Sequence, residues 1–231
     1  MVQGLVDYTD SEDETEAPLP KLPPLSMGDE GYKNEWLSFV YVPVPYSLSG
    51  LPSLLEKVVA HSHDLMLAYD HMDHEPSLHV SLTRPIILRK HEERSFAEEV
   101  LQAVKSLSLP RFSLAFSRFI CLPSDSSERV FLCMELSAGW HELYALVQEL
   151  NPRFQRLFGA RGYYDKAQFH ASVAFMDDVS VPRQQLIRHG HTLAEALNDA
   201  LGQELCRVGP LHVSVLAARV GQHVHNIYLA G

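Results

Sequence analysis

Residues 78–84 read LHVSLTR and residues 169–176 read FHASVAFM. In both stretches polar and apolar residues alternate with the period of two that marks a half-buried strand. His79 and Ser81 therefore share one strand face, as do His170 and Ser172, while Val80 and Ala171 turn to the opposite layer. A strand of this kind gives polar side chains a rigid base.

Working outward from these two strands, the same order of elements occurs twice. Residues 36–44 (WLSFVYVPV) are rich in β-branched and aromatic residues and predict a strand. Residues 51–61 (LPSLLEKVVAH) have helical spacing with Pro52 near the start, and residues 96–107 (FAEEVLQAVKSL) form an amphipathic helix. A strand over 111–122, with a Leu114/Phe116 stripe, closes the first set. The second set has strands at 130–137, 169–176 and 211–218. Its helices fall at 140–158, disturbed around Pro152, and at 184–206. A final strand covers 224–229.

Each set reads β-α-β-α-β, an internal duplication of architecture rather than of residues. The expectation is an α+β fold made of two lobes, 36–122 and 130–218 plus 224–229. Two antiparallel-type sheets would face a central cleft with helices outside, all within one domain over 35–231. Residues 1–34 carry DSEDETE and PLPKLPPL, too polar and proline-rich to offset ordering entropy, and predict a disordered arm.

The composition narrows the function. The 231 residues carry a formal net charge of −10, and eight acids against Lys21 alone fall within residues 1–30. The remainder is close to neutral, which argues against a broad basic face gripping duplex DNA by counterion release. A small pocket for the end of a single strand remains open. Cys121, Cys133 and Cys206 are widely spaced and odd in number, which favours buried thiols in a reducing compartment over a disulfide framework or a Cys-type zinc site. No membrane span or secretory signal is expected, so the reading is an intracellular, soluble chain that works as a monomer.

Thirteen histidines stand out. Two imidazoles and two hydroxyls converging on one cleft suit phosphodiester chemistry near neutral pH, because one imidazole accepts a proton while its twin donates one. On RNA the nucleophile is the substrate's own 2′-OH, the serines hydrogen-bond the phosphate oxygens, and no metal or other cofactor is needed. His212-Val213-Ser214 repeats the letters. It falls on the fifth element of its set, matching a first-set strand without the motif, and serves as a control. His71 and His74, with Asp70 and Asp73, look metal-like but lie in a loop without a partner at zinc-finger spacing. His189 and His191 fall early in a helix, His223 and His225 on one face of the last strand, and His61 and His63 close the first helix. Arg84, just past the first motif strand, is within reach of phosphate, although a surface arginine is the default reading. Trp36 and Trp140 read as core. Tyr163 and Tyr164 point to opposite sides of an extended segment, and spacing alone does not choose between them.

The paired H-x-S strands in a repeated α+β frame resemble the 2H phosphodiesterase superfamily, and serine in both motifs resembles its U6 small nuclear RNA phosphodiesterase family. LVDYTDSEDE, NEWLSFVYVPVPY, RVFLCMELSAGWHELYALVQELN and GYYDKAQFHASVAF fit that family as well. The chain differs from it at Val80 and Ala171, where leucine is common, at Lys166-Ala167-Gln168, and in the charged run over 89–94. The resemblance implies a metal-independent 3′–5′ exonuclease acting in the nucleus on the oligouridine 3′ end of U6 RNA. It implies a 2′,3′-cyclic phosphate product, opened in some members to a 3′-phosphate. It assigns catalysis to His79, Ser81, His170 and Ser172, and substrate binding to Tyr164, which stacks on the terminal nucleotide, and to Gln168. Two alternatives stand beside it: a related 2H enzyme acting on cyclic nucleotides, and an RNA-end binding module without catalysis.

Overall fold

The side chains of β1 (Glu35–Pro45) alternate down its length: Val40, Val42 and Val44 are fully buried, while Phe39, Tyr41 and Pro43 stay half exposed. The same two-sided pattern recurs across the sheet of the computed structural model, which describes residues 35–62, 65–67, 77–125, 127–178 and 180–230. The expected arm over 1–34, His63, and the His71/His74 segment lie outside the described residues.

The helices follow from the spacing of their apolar residues. In α1 (Leu51–His61), Leu51, Leu54, Leu55 and Val58 are buried at i, i+3, i+4 and i+7, with Pro52 in the first turn, where its missing N–H costs nothing. In α2 (Glu93–Ser106) the buried stripe is Phe96, Val100, Ala103 and Val104. In α3 (Trp140–Phe158) it is Leu143, Leu146, Val147, Leu150 and Phe154, and the helix runs through Pro152. The Asn151 side chain instead accepts the backbone N–H of Tyr163 (3.0 Å), tying the loop after α3 back onto that helix. Phe96 stacks on Phe154 with centroids 4.8 Å apart, joining α2 to α3. In α4 (Arg183–Leu205) a buried stripe from Leu186 to Leu205 includes Gly190. A Cβ there would sit 2.2 Å from the Cys121 sulfur, so the flagged His189-Gly190-His191 run is a close-packing point with exposed histidines on either side. Each fully buried Leu or Phe in these stripes contributes about 1.5–3 kcal/mol.

The strands are β2 (Met66–Leu67), β3 (Ser77–Ser81), β4 (Ile86–Arg89), β5 (Phe112–Pro123), β6 (Val130–Ala138), β7 (His170–Met176), β8 (Leu211–Val213), β9 (Val215–Val220) and β10 (His223–Tyr228). They form one ten-stranded antiparallel sheet in the order β10-β9-β1-β3-β7-β6-β5-β8, with β4 on β1 and β2 on β7. Two expectations change here. The two separate sheets are one, joined where β3 meets β7 through a single register pair, Val80 with Ala171. The expected grouping of strands is also crossed, because the third strand of each set pairs with the other set: β5 with β6, and β9 with β1.

That exchange explains why the expected strand over 211–218 is broken at Ser214. Its first part pairs with β5 and its second with β1, at opposite ends of the strand order. β8 is the last strand at one side of the order and β9 the last but one at the other. A sheet that sets them one residue apart along the chain must curl back on itself. Two contacts hold the closure: Pro110 bridges to Ala230, and the Arg111 N–H donates to the Ala230 carbonyl at 3.1 Å. The seam between β3 and β7 lies at the middle of this curled sheet.

Candidate active site

Antiparallel pairing about Val80 and Ala171 sets the site's geometry. Val80 and Ala171 are both fully buried, so the flanking residues turn to the other face. His79 then lies across the seam from Ser172, and Ser81 across from His170, with Cβ atoms of such pairs about 4.5–5.5 Å apart. The two motifs read from sequence are thus brought together as a four-cornered polar patch. His79, Ser81, His170 and Ser172 are all half-buried rather than sealed.

His170 has a well-defined setting. Its Nδ1 lies 2.7 Å from the carbonyl oxygen of Gln168. A carbonyl only accepts, so Nδ1 carries the hydrogen and Nε2 is left for proton transfer. Burial pulls the His170 pKa below its ordinary value, against the opposing pull of the Gln168 carbonyl and the Glu135 charge. Across the β6 register, Glu135 stands opposite His170 and Cys133 opposite Ser172. The Cys133 sulfur is 3.5 Å from the Ser172 hydroxyl, and burial pushes that thiol up to about 12, so it stays neutral.

Glu135 was not singled out in the sequence. Its signal was there: a lone acid between Met134 and Leu136 in an otherwise apolar strand. Its carboxylate accepts from Arg118 Nε at 2.5 Å and from Gln168 Nε2 at 2.6 Å. Burial raises its pKa, but the hydrogen bonds from Arg118 and Gln168, with the Arg118 and His170 charges, outweigh that and hold it below the usual carboxylate value. Gln168, expected to bind substrate, has its side-chain amide committed to Glu135 and its carbonyl to His170.

His79 is set differently. Its register partner on β1 is Pro43, and its ring packs against Phe39 and Tyr41, with centroids 5.6 and 5.2 Å away. These two aromatics, like Glu135, were not picked out from sequence as part of the site.

The structure separates the adjacent tyrosines. Tyr163 is buried, stacks on Phe169 at 5.4 Å and donates its hydroxyl to the Ser81 carbonyl at 3.3 Å, bracing the first motif strand. Tyr164 is 40 % exposed, and its hydroxyl donates to Asp125 at 2.5 Å. Arg84 lies 4.1 Å from its ring centroid. Burial and the Asp125 hydrogen bond push the Tyr164 phenol up to about 12, so its ring is neutral at working pH.

Four other described histidines have partners of their own. His212 is exposed on β8 and hydrogen-bonds Ser113 at 2.9 Å, with β5 and β6 between it and β7. His223 and His225 both meet the Glu93 carboxylate, at 2.9 and 2.7 Å. His61 Nδ1 bonds the Lys57 carbonyl at 2.8 Å, in the last turn of α1. Among the described residues, no cluster of three His, Cys, Asp or Glu side chains is arranged to hold a metal ion. No helix among them is long and apolar enough to cross a membrane.

Comparison with known proteins shows which family the chain falls in. The profile of the HVSL family, described as "Uncharacterised conserved protein", matches residues 32–228. U6 snRNA phosphodiesterase 1 of Xenopus laevis is 27% identical over 204 residues, covering 74% of this chain and 79% of that protein. The Drosophila melanogaster protein of the same name is 22% identical, covering 61% of this chain and 52% of its own length. Among solved structures, Kluyveromyces marxianus Usb1 with uridine monophosphate superposes with a TM-score of 0.55 at 17% identity, covering 84% of this chain and 98% of that one. That likeness concerns the fold. With a profile match running from just before β1 to the end of β10, this chain belongs to the HVSL family, in the company of the U6 snRNA phosphodiesterases.

Proposed function

We propose that this chain is an RNA phosphodiesterase that shortens the oligouridine 3′ end of U6 snRNA, one nucleotide at a time and without a metal ion. The observation that carries the reading is the meeting of two H-x-S strands at Val80–Ala171, which puts two imidazoles and two hydroxyls on one face. Relatives named U6 snRNA phosphodiesterase 1, and a fold shared with a Usb1 structure holding uridine monophosphate, support RNA as the substrate.

His170 acts as the base. Neutral and with Nδ1 held by Gln168, it takes the proton of the 2′-OH on the penultimate nucleotide through Nε2. The 2′-oxygen attacks the adjacent phosphorus, and the bond to the 5′-oxygen of the terminal nucleoside breaks. His79 protonates that departing oxygen. Ser81 and Ser172 donate to the non-bridging oxygens as charge builds on them. The products are a terminal nucleoside and a shortened RNA ending in a 2′,3′-cyclic phosphate, which water opens to a 3′-phosphate in a slower second step. Tyr164 offers its exposed ring to the terminal base. The repeated order of elements on either side of the seam belongs to a duplicated two-lobe 2H frame with its third strands exchanged. The chain works as a monomer in the nucleus and acts on RNA rather than DNA.

The test is trimming of a 3′-oligouridine RNA by purified protein in excess EDTA. Stepwise shortening with a cyclic phosphate terminus is expected, and a 2′-deoxy sugar at the attacking position should block it. Loss of trimming in EDTA, or normal cleavage beside the 2′-deoxy sugar, contradicts the reading. Cleavage of free cyclic nucleotides but not RNA favours the cyclic-nucleotide enzyme.

A further inference from the structure

The sheet gives the two histidines unequal neighbours. Register places Pro43 opposite His79 but Glu135 opposite His170. Antiparallel partners share a face, with Cα atoms about 4.5–5.5 Å apart, so the register sets the Glu135 side chain beside His170. Its side chain is 16% exposed, against 62% for its partner Arg118, so the charge sits on the inner side of the pair. Both oxygens are held: one by Arg118 at 2.5 Å, the other by the Gln168 amide at 2.6 Å. Gln168 in turn fixes His170 Nδ1 through its backbone carbonyl at 2.7 Å. A run of hydrogen bonds therefore leads from Arg118 through Glu135 and Gln168 to His170, over strands β5, β6 and β7.

We propose that Glu135 is a positioning residue for His170, fixing the ring through Gln168 and setting its proton affinity through its own negative charge. The inference deepens the proposed function, since it concerns the group assigned there as the base. A buried carboxylate beside an imidazole favours the imidazolium that forms on proton uptake. Without it, the burial that already holds the His170 pKa down would be less opposed, and the ring would be a weaker base. Arg118 limits the effect by partly neutralising the carboxylate, so the two residues push His170 in opposite directions.

Among the described residues, four titratable or charged groups face His170 or its partner from neighbouring strands. Glu135 and Cys133 come from β6, His79 from β3, and Arg118 from β5 by way of Glu135. Cys133 stays a neutral thiol. Among the described residues that the sheet register sets beside His170, Glu135 is then the anion able to move it.

The experiment is an NMR titration of the His170 ring in the full chain, without substrate, in wild type, Glu135→Gln, Glu135→Asp and Arg118→Ala. The expected result is a fall of roughly one pKa unit in Glu135→Gln, with most of the wild-type value kept in Glu135→Asp. A rise is expected in Arg118→Ala, where the carboxylate loses its counter-charge. Dispersed spectra show that each variant is folded. On oligouridine RNA, Glu135→Gln should lower kcat about tenfold with KM little changed, and move the acidic limb of the rate profile downward. The inference is overturned if His170 titrates alike in folded wild type and Glu135→Gln, or if Arg118→Ala moves it the same way as Glu135→Gln. Because the titration needs no RNA, a wild type that fails to trim RNA while His170 still follows Glu135 removes the proposed function and leaves this inference standing.

Discussion

The two strands that meet at the seam spell nearly the same word and sit in different surroundings. On β3, His79 faces a proline across the register and packs against Phe39 and Tyr41. On β7, His170 faces an acid, hydrogen-bonds a carbonyl, and lies at the end of a polar chain that starts at Arg118. The backbone is arranged alike on both sides of Val80–Ala171, but the side chains are not. A general acid and a general base need opposite protonation states at one pH, and unlike surroundings are how two identical side chains acquire them.

The largest effects should come from the corners of the seam. Replacing His79 or His170 by Ala should slow cleavage of oligouridine RNA by about 10²–10⁴-fold in single-turnover assays, with His212→Ala within twofold of wild type. If His212→Ala is as damaging, catalysis is not confined to the two seam strands. Ser81→Ala and Ser172→Ala should each cost about a hundredfold in kcat, and unequal losses would extend the asymmetry to the hydroxyls.

Smaller effects test the flanks. Tyr164→Ala should raise KM for RNA about tenfold with kcat nearly unchanged, as expected for one lost base–aromatic stack. Tyr163→Phe should leave KM alone and lower stability by about 1 kcal/mol, because it loses only the hydrogen bond to the Ser81 carbonyl.

Further from the site, α4 carries its own contrast. At Gly190 a Cβ would meet the Cys121 sulfur at 2.2 Å and the Met176 methyl at 2.9 Å, whereas at Gly202 it meets nothing within 4 Å. Gly190→Ala should destabilise by about 1–3 kcal/mol as helix and sheet are forced apart. Gly202→Ala should stabilise by about 0.5–1 kcal/mol through helix propensity alone. Urea midpoints measure both.

Much of this was legible in the sequence. The helix over 140–158 and the one over 51–61 were read to their ends, because apolar spacing is a local signal. The short β4 at Ile86–Arg89 and β2 at Met66–Leu67 were not foreseen, since so few residues show no period. The single sheet, the exchange of β5 and β9, and the break at Ser214 are pairing facts, and pairing between distant strands leaves no trace in local periodicity. The H-x-S pairs were visible as alternation and as a repeated position. Glu135 was visible only as an acid out of place in an apolar strand, and its partners Arg118 and Gln168 lie on other segments of the chain. Phe39 and Tyr41 look like ordinary strand residues until the register sets them beside His79.

The two motif strands should act as one catalytic centre rather than two. Single-turnover rates on 3′-oligouridine RNA for His79→Ala, His170→Ala and the double variant test it most directly. One centre predicts that each single variant loses at least about a hundredfold, and that the double falls only a few-fold below the slower single, as groups acting in one step do. Each single variant keeping a large share of the wild-type rate would instead mean two independent centres and no shared site at the seam.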